Sequence, residues 1–218
     1  MALPRRGSQT TERPASDSQY TNLTENEYEG RLVYVADLGL QEREYKGEVK
    51  PPAQQVSLGI EILGVPVEVD GAEKPRVLWT KPFNVFYSMN EKGNEMKYYK
   101  VFEPTATEGE VADWDKVLGK PCNVMVVQTN GKGDKSDNVY DNIDTLTPIP
   151  AKYQDAVAAA TVANPAVGDA DDDVNPATAA LYGLAKFVWD KRINGGSAKA
   201  STAVHAVPDM LVDNSAPF

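Results

Sequence analysis

Histidine occurs once in this 218-residue chain, at His205, and cysteine once, at Cys122. A lone cysteine excludes an internal disulfide, and its place in an alternating apolar stretch marks it as a small buried thiol suited to a reducing compartment. A lone histidine in the Gly/Ser/Ala-rich end of the chain argues against a histidine metal site or a histidine general base. No G-x-x-x-x-G-K-[ST] or G-x-G-x-x-G follows a strand pattern, and neither a base nor a second thiol lies near Cys122. No apolar run is long enough to cross a bilayer, and the polar residues after Arg5-Arg6 are not the apolar core of a signal peptide. The expectation is a soluble cytosolic protein that is not an enzyme, with no cofactor, no metal and no membrane partner.

Positive charge is also short. Lys and Arg number 22 against 32 Asp and Glu, a net charge of −10, and acid exceeds base on both sides of Pro150. Coating duplex DNA by charge needs a concentrated positive surface, so that class is disfavoured, while a local basic groove stays compatible.

What is present is strand pattern. Residues 31–38 read as a central strand covered on both faces, and residues 39–52 as a charged, turn-rich connection. Residues 54–63 alternate Val56, Leu58, Ile60 and Ile62 against Gln55, Ser57, Gly59 and Glu61, so one face is core and the other meets solvent or ligand. A hairpin around Asp70-Gly71 leads to a strand over 76–86 that Pro82 interrupts. Ser88-Met89-Asn90-Glu91 has the form of a capping box, and Met96, Tyr99 and Phe102 follow at helical spacing until Pro104. A short turn over 113–118 precedes a strand at Cys122, a long Asn-Gly-containing loop and a return strand over 139–146. On that last strand Tyr140 and Asn142 share one face. The order predicts a mainly β fold, a five-stranded OB-type barrel with its helix between strands 3 and 4.

The chain ends differently. An acidic linker over 169–173 is followed by Asn175-Pro176, an N-cap with proline at the first helical position, and Ala177, Leu181, Leu184 and Val188 form one apolar stripe. The segments read as a disordered leader over 1–29, the barrel over 30–150, linker and docking helix over 151–194, and a disordered tail over 195–218.

Rings and cations are interleaved along the barrel. Trp79, Phe86, Tyr99 and Phe102 read as core. Tyr34, Phe83 and Tyr140 share strands with polar neighbours and are as fit for stacking as for packing. Arg76, Lys81, Lys97, Lys100 and Lys120 lie among them, with Gln55 on the polar strand face. Bases stacked on rings with cations along the phosphates hold single-stranded nucleic acid. Asp37, Glu61, Asp141 and Asp144 are the carboxylates a metal-dependent nuclease would draw on, but their spacing fits no metal motif.

The segments RLVYVADLG, QQVSLGIEIL, KPRVLWTKPFNVFYSMNEKGN, LGKPCNVMVV and VYDNIDTLTPIP resemble, in this order, tailed-bacteriophage single-stranded DNA-binding proteins with an OB fold. The resemblance implies a protein that binds and protects single-stranded DNA during phage replication or recombination in the host cytoplasm. It implies that the Tyr34 strand, Lys81 with Phe83, and Tyr140 with Asn142 line the DNA groove. The end of the chain, Asp213 to Pro217-Phe218, is similar to the Pro-Phe tip of bacterial single-stranded DNA-binding proteins. That likeness implies capture of replication or recombination proteins, with Phe218 in an apolar pocket and Asp213 at a basic rim. An OB-like protein-binding adaptor or structural phage protein is the alternative.

Overall fold

Strand β1 (Asn26–Tyr45) organises the molecule because both of its faces are apolar. Leu32 and Val35 enter one core, and Ala36 and Leu38 enter another on the opposite side. The computed structural model describes residues 21–193, except 70, 132, 134–135, 151–153 and 155–164. Besides β1 it contains β2 (Glu48–Val69), β3 (Ala72–Trp79), β4 (Phe83–Asn84), α1 (Asn94–Phe102), α2 (Trp114–Val117), β5 (Pro121–Asn130), β6 (Val139–Pro148), β7 (Ala166–Gly168), α3 (Pro176–Ala179) and α4 (Gly183–Asp190).

The fold is mainly β, one seven-stranded sheet with the path β3-β2-β1-β5-β6; β4 adds to β2, and β7 pairs with β1. All pairings are antiparallel except that of β7. The expected five strands therefore become seven, and no ladder joins β3 to β6 to close the sheet into a barrel. The two ends of the path meet through side chains instead: Arg76 on β3 lies 3.5 Å from Asp141 on β6.

Several local expectations change. The charged stretch over 39–52 is strand, because the β1–β2 ladder runs to Tyr45↔Glu48 and turns on Lys46-Gly47. Both turn residues have positive φ, 54° and 77°, the geometry of a type I′ hairpin. Lysine seldom adopts that conformation, which hides the turn from a reading by residue type. Residues 26–29, assigned to the leader, are the start of β1, and Asn26↔Val126 through Arg31↔Pro121 pair it with β5. The strand over 76–86 breaks at Thr80, whose Oγ1 accepts from Leu58 N–H while Ser57 Oγ donates to Thr80 O. Helix α1 starts at Asn94, not at the capping box, and its N-cap Gly93 supplies no side chain. Met96, Tyr99 and Phe102 are buried as the helical spacing required.

The main core lies between the inner sheet face and α1. The second core lies between the outer face of β1 and the C-terminal helices, where Ala36 and Leu38 meet Ala177, Leu181 and Ala185. Asn175 caps α3 by accepting from Ala177 N–H, with Pro176 at the first position, as the sequence indicates. The single apolar stripe does not persist. The chain breaks after Ala180 and restarts at Gly183 (φ 57°), so Ala185, Val188 and Trp189 face the sheet while Leu184 and Phe187 are exposed. No helix among the described residues is long and apolar enough to span a membrane.

Candidate nucleic-acid interface

The β5–β6 hairpin pairs Asn130 with Val139 and carries Tyr140 opposite Thr129 and Asn142 opposite Val127. Alternation buries Ile143 and turns Tyr140 outward, 43% exposed. Asn138 Nδ2 donates to the Tyr140 hydroxyl at 3.3 Å, and Asn142 Nδ2 donates to Thr129 Oγ1 at 2.8 Å and to Tyr140 O at 2.9 Å. One amide thus holds the Tyr140 hydroxyl and another its backbone carbonyl. Tyr140 lines an open cleft of about 560 Å³ with Asn22, Asp137, Asn138, Asp141 and Tyr182. Tyr182, 47% exposed, is anchored by its hydroxyl, which donates to Val77 O on β3 at 2.6 Å. The cleft therefore lies over the seam where β3 meets β6. Leu23 N–H donates to Asp141 Oδ2 and Asn22 Nδ2 to Val139 O, so the segment before β1 forms one wall.

Of the other residues assigned to binding, the structure separates most. Phe83 is core: it is 3% exposed, with ring centroids of Tyr98 at 5.0 Å and Trp114 at 6.3 Å. Arg76 is 5% exposed, its Nε donating to Val65 O and its Nη1 facing Asp141, so its charge is balanced inside the protein. Tyr34 stacks on Trp79 beneath the C-terminal helices, where burial, and secondly Glu61, raises its phenol pKa. The outer face of β2, expected to meet solvent or ligand, is likewise covered: Ser57, Gly59 and Glu61 are buried. Gln55 is half-buried and donates to Asn84 Oδ1. Lys120 donates to Phe102 O and pairs with Glu103 at 3.2 Å. The Glu103 carboxyl is held down at about 2 by the Thr105 hydroxyl, then by Lys116 and Lys120. Lys81 and Lys97 are exposed and Lys100 half-buried. Asp213, Pro217 and Phe218 lie outside the described residues.

Comparison with family models, with curated proteins and with solved structures yields no match.

Two contributors escape the sequence pattern. Tyr182 reads as part of a continuous helix until the break at Gly183 is seen. Tyr45 falls in the stretch taken for a connection, yet it is 62% exposed at the β1–β2 turn with Lys46 Nζ 5.3 Å from its ring centroid. Phe86, expected in the core, is exposed. Among the described residues no three His, Cys, Asp or Glu side chains are gathered to hold a metal ion. Asp37 accepts from Gly39 N–H and Gln54 Nε2, and Cys122 is buried, its thiol pKa pushed up by burial.

Proposed function

We propose that this protein binds single-stranded DNA, without marked sequence preference, and protects it during phage replication or recombination. The sheet path with α1 ahead of β5 fits a five-stranded, partly open OB barrel, in which β4 and β7 are additions. Such barrels grip oligonucleotides with the loops after their first and fourth strands, here the β1–β2 and β5–β6 turns. The observation that carries the reading is that exposed tyrosines stand at both turns. Tyr45 sits beside Lys46 at one, and Tyr140 lines a cleft with Tyr182 at the other. Each ring is a sequence-tolerant platform worth roughly 1–3 kcal/mol per stacked base. The sheet face bearing Tyr34 and Trp79 is covered, which moves the stacking to the loops.

The test is anisotropy with labelled oligo-dT and a matched duplex across a salt series. Contact with three to five phosphates gives a log K against log[salt] slope of about −2 to −3.5 for the single strand. Equal affinity for duplex, or no binding at low salt, overturns the reading and favours a protein-binding adaptor.

A further inference from the structure

A second cleft, of about 550 Å³, opens beside the main core and is lined by Asp37, Glu95, Asp115 and Asp169 among apolar residues. Among the described residues, every charged side chain lining it is acidic. Its apolar part includes the buried Val35 and Val56, the half-buried Trp114, and two side chains that monomeric folding leaves bare, Phe86 at 55% and Val111 at 65% exposure. Trp114 is fixed from behind by Tyr99, edge-on at 5.2 Å. Phe86 is fixed through its backbone, whose N–H donates to Glu95 Oε2. The cleft thus joins an apolar surface to two exposed carboxylates, Asp115 and Asp169, with Asp37 half-buried and Glu95 buried within it.

We infer that this cleft docks a basic peptide segment of a protein partner: one large apolar side chain on Phe86, Val111 and Trp114, with flanking Lys or Arg at Asp115 and Asp169. Asp115 and Asp169 stand exposed at the cleft while Asp37 is half-buried and Glu95 buried, so the cationic flanks of the peptide meet the two exposed carboxylates. The bare floor points to a peptide rather than to a small polyamine, which would leave Phe86 and Val111 wet. The acids also repel one another: burial first, then Asp169 and Asp171, hold the Asp37 carboxyl above its ordinary range. A cation at the rim relieves that repulsion, so charge complementarity adds to the apolar contact. This site shares no lining residue with the Tyr140 cleft and does not depend on DNA binding.

The probe is a fluorescein-labelled peptide with a central Leu flanked on each side by two Arg, beside a control carrying Glu for each Arg. The full chain is expected to bind the Arg peptide in a salt-sensitive manner and to ignore the Glu peptide. Asp115→Asn with Asp169→Asn is expected to weaken binding about three- to tenfold, the scale of two rim ion pairs. Phe86→Ser is expected to weaken it independently of salt. Oligo-dT affinity should be unchanged in both variants, and Tyr140→Ala should leave peptide affinity unchanged, so failure here is distinct from failure of the DNA reading. Equal binding of both peptides, full displacement by spermine at matched charge, or wild-type affinity in the paired aspartate variant overturns the inference.

Discussion

Tyr34 and Trp79 stack across Gly59, ring centroids 6.0 Å apart and planes 16° from parallel. The three residues form one row, Tyr34↔Gly59 between β1 and β2 and Gly59↔Trp79 between β2 and β3. Glycine is required in the middle: a Cβ there would stand 2.9 Å from Tyr34 Cβ and 3.2 Å from Trp79 Cη2. Gly59→Ala is therefore expected to cost about 1–3 kcal/mol by overpacking, read as a lower urea midpoint at unchanged slope. Wild-type stability would show that the two rings move apart freely.

Phe83 and Tyr140 exchange the roles that local pattern allows them. Phe83→Ala should destabilise the fold by about 3–5 kcal/mol. Tyr140→Ala should change stability by no more than about 0.5 kcal/mol while weakening oligo-dT binding by about 1–3 kcal/mol. Denaturation and anisotropy on the same two variants decide it; a fully stable Phe83→Ala contradicts its place in the core.

The Arg76–Asp141 pair fastens the two ends of the sheet path, and both side chains are nearly inaccessible to solvent. Arg76→Met leaves the Asp141 carboxylate buried without that cation, at an expected cost of about 3–5 kcal/mol. Adding Asp141→Leu removes the stranded charge but leaves Leu23 N–H without its acceptor, so recovery should fall short by about 1–3 kcal/mol. Strictly additive losses in this double-mutant cycle would show that the two residues do not act together.

Two carboxylates give opposite pH signatures. Burial holds Glu95 above the ordinary carboxylate range, against the Phe86 N–H that draws it down. The native state then binds this proton more readily than the unfolded chain, and stability falls as pH rises through the raised value. Glu95→Gln keeps an oxygen for Phe86 N–H, so it should raise the melting temperature at neutral pH, with the gain vanishing in acid. Glu103, lowered to about 2 by Thr105, Lys116 and Lys120, contributes stability present above its unfolded range and lost as pH falls toward about 2. Glu103→Gln should abolish that acid-side loss. Melting curves from about pH 2 to pH 8 check both signs.

The C-terminal helices are bound to β1 and to the segment after β7 by named contacts: Gln41 Nε2 donates to Val188 O, Ile193 N–H to Leu40 O, and Trp189 Nε1 to Ala170 O. A chain shortened to end at Ile193 keeps all of them and should melt with the full chain. One ending at Tyr182 loses Ala185, Val188 and Trp189 and uncovers Leu38, at an expected loss of at least about 3 kcal/mol. Equal melting of both would mean that the second core contributes little.

Much of the architecture is written in local pattern. The two-residue period of Val56, Leu58, Ile60 and Ile62 fixes β2 and its inner face, and the β2–β3 ladder closes at Val69↔Ala72 with Gly71 at positive φ. The helical spacing of Met96, Tyr99 and Phe102 fixes α1 even though its N-cap is Gly93, five residues beyond Ser88. Asn175-Pro176 fixes the start of α3 because cap and proline act on their own backbone.

The site was less legible, for one reason. Periodicity states which side chains share a face, but not what lies against that face. Tyr34, Phe83 and Tyr140 all sit beside polar neighbours. Only the fold lays α3 and α4 over the first, packs Tyr98 and Trp114 around the second, and leaves the third at a cleft with Tyr182. Arg76 looks like a free cation in sequence until a strand 65 residues away brings Asp141 to it. The inner face of β2, the buried face of α1 and the Asn175 cap follow from the sequence, since those depend on backbone preference and neighbours a few residues apart. Tertiary structure alone decided which rings and charges meet solvent, because burial and pairing depend on segments that become neighbours only when the chain has folded.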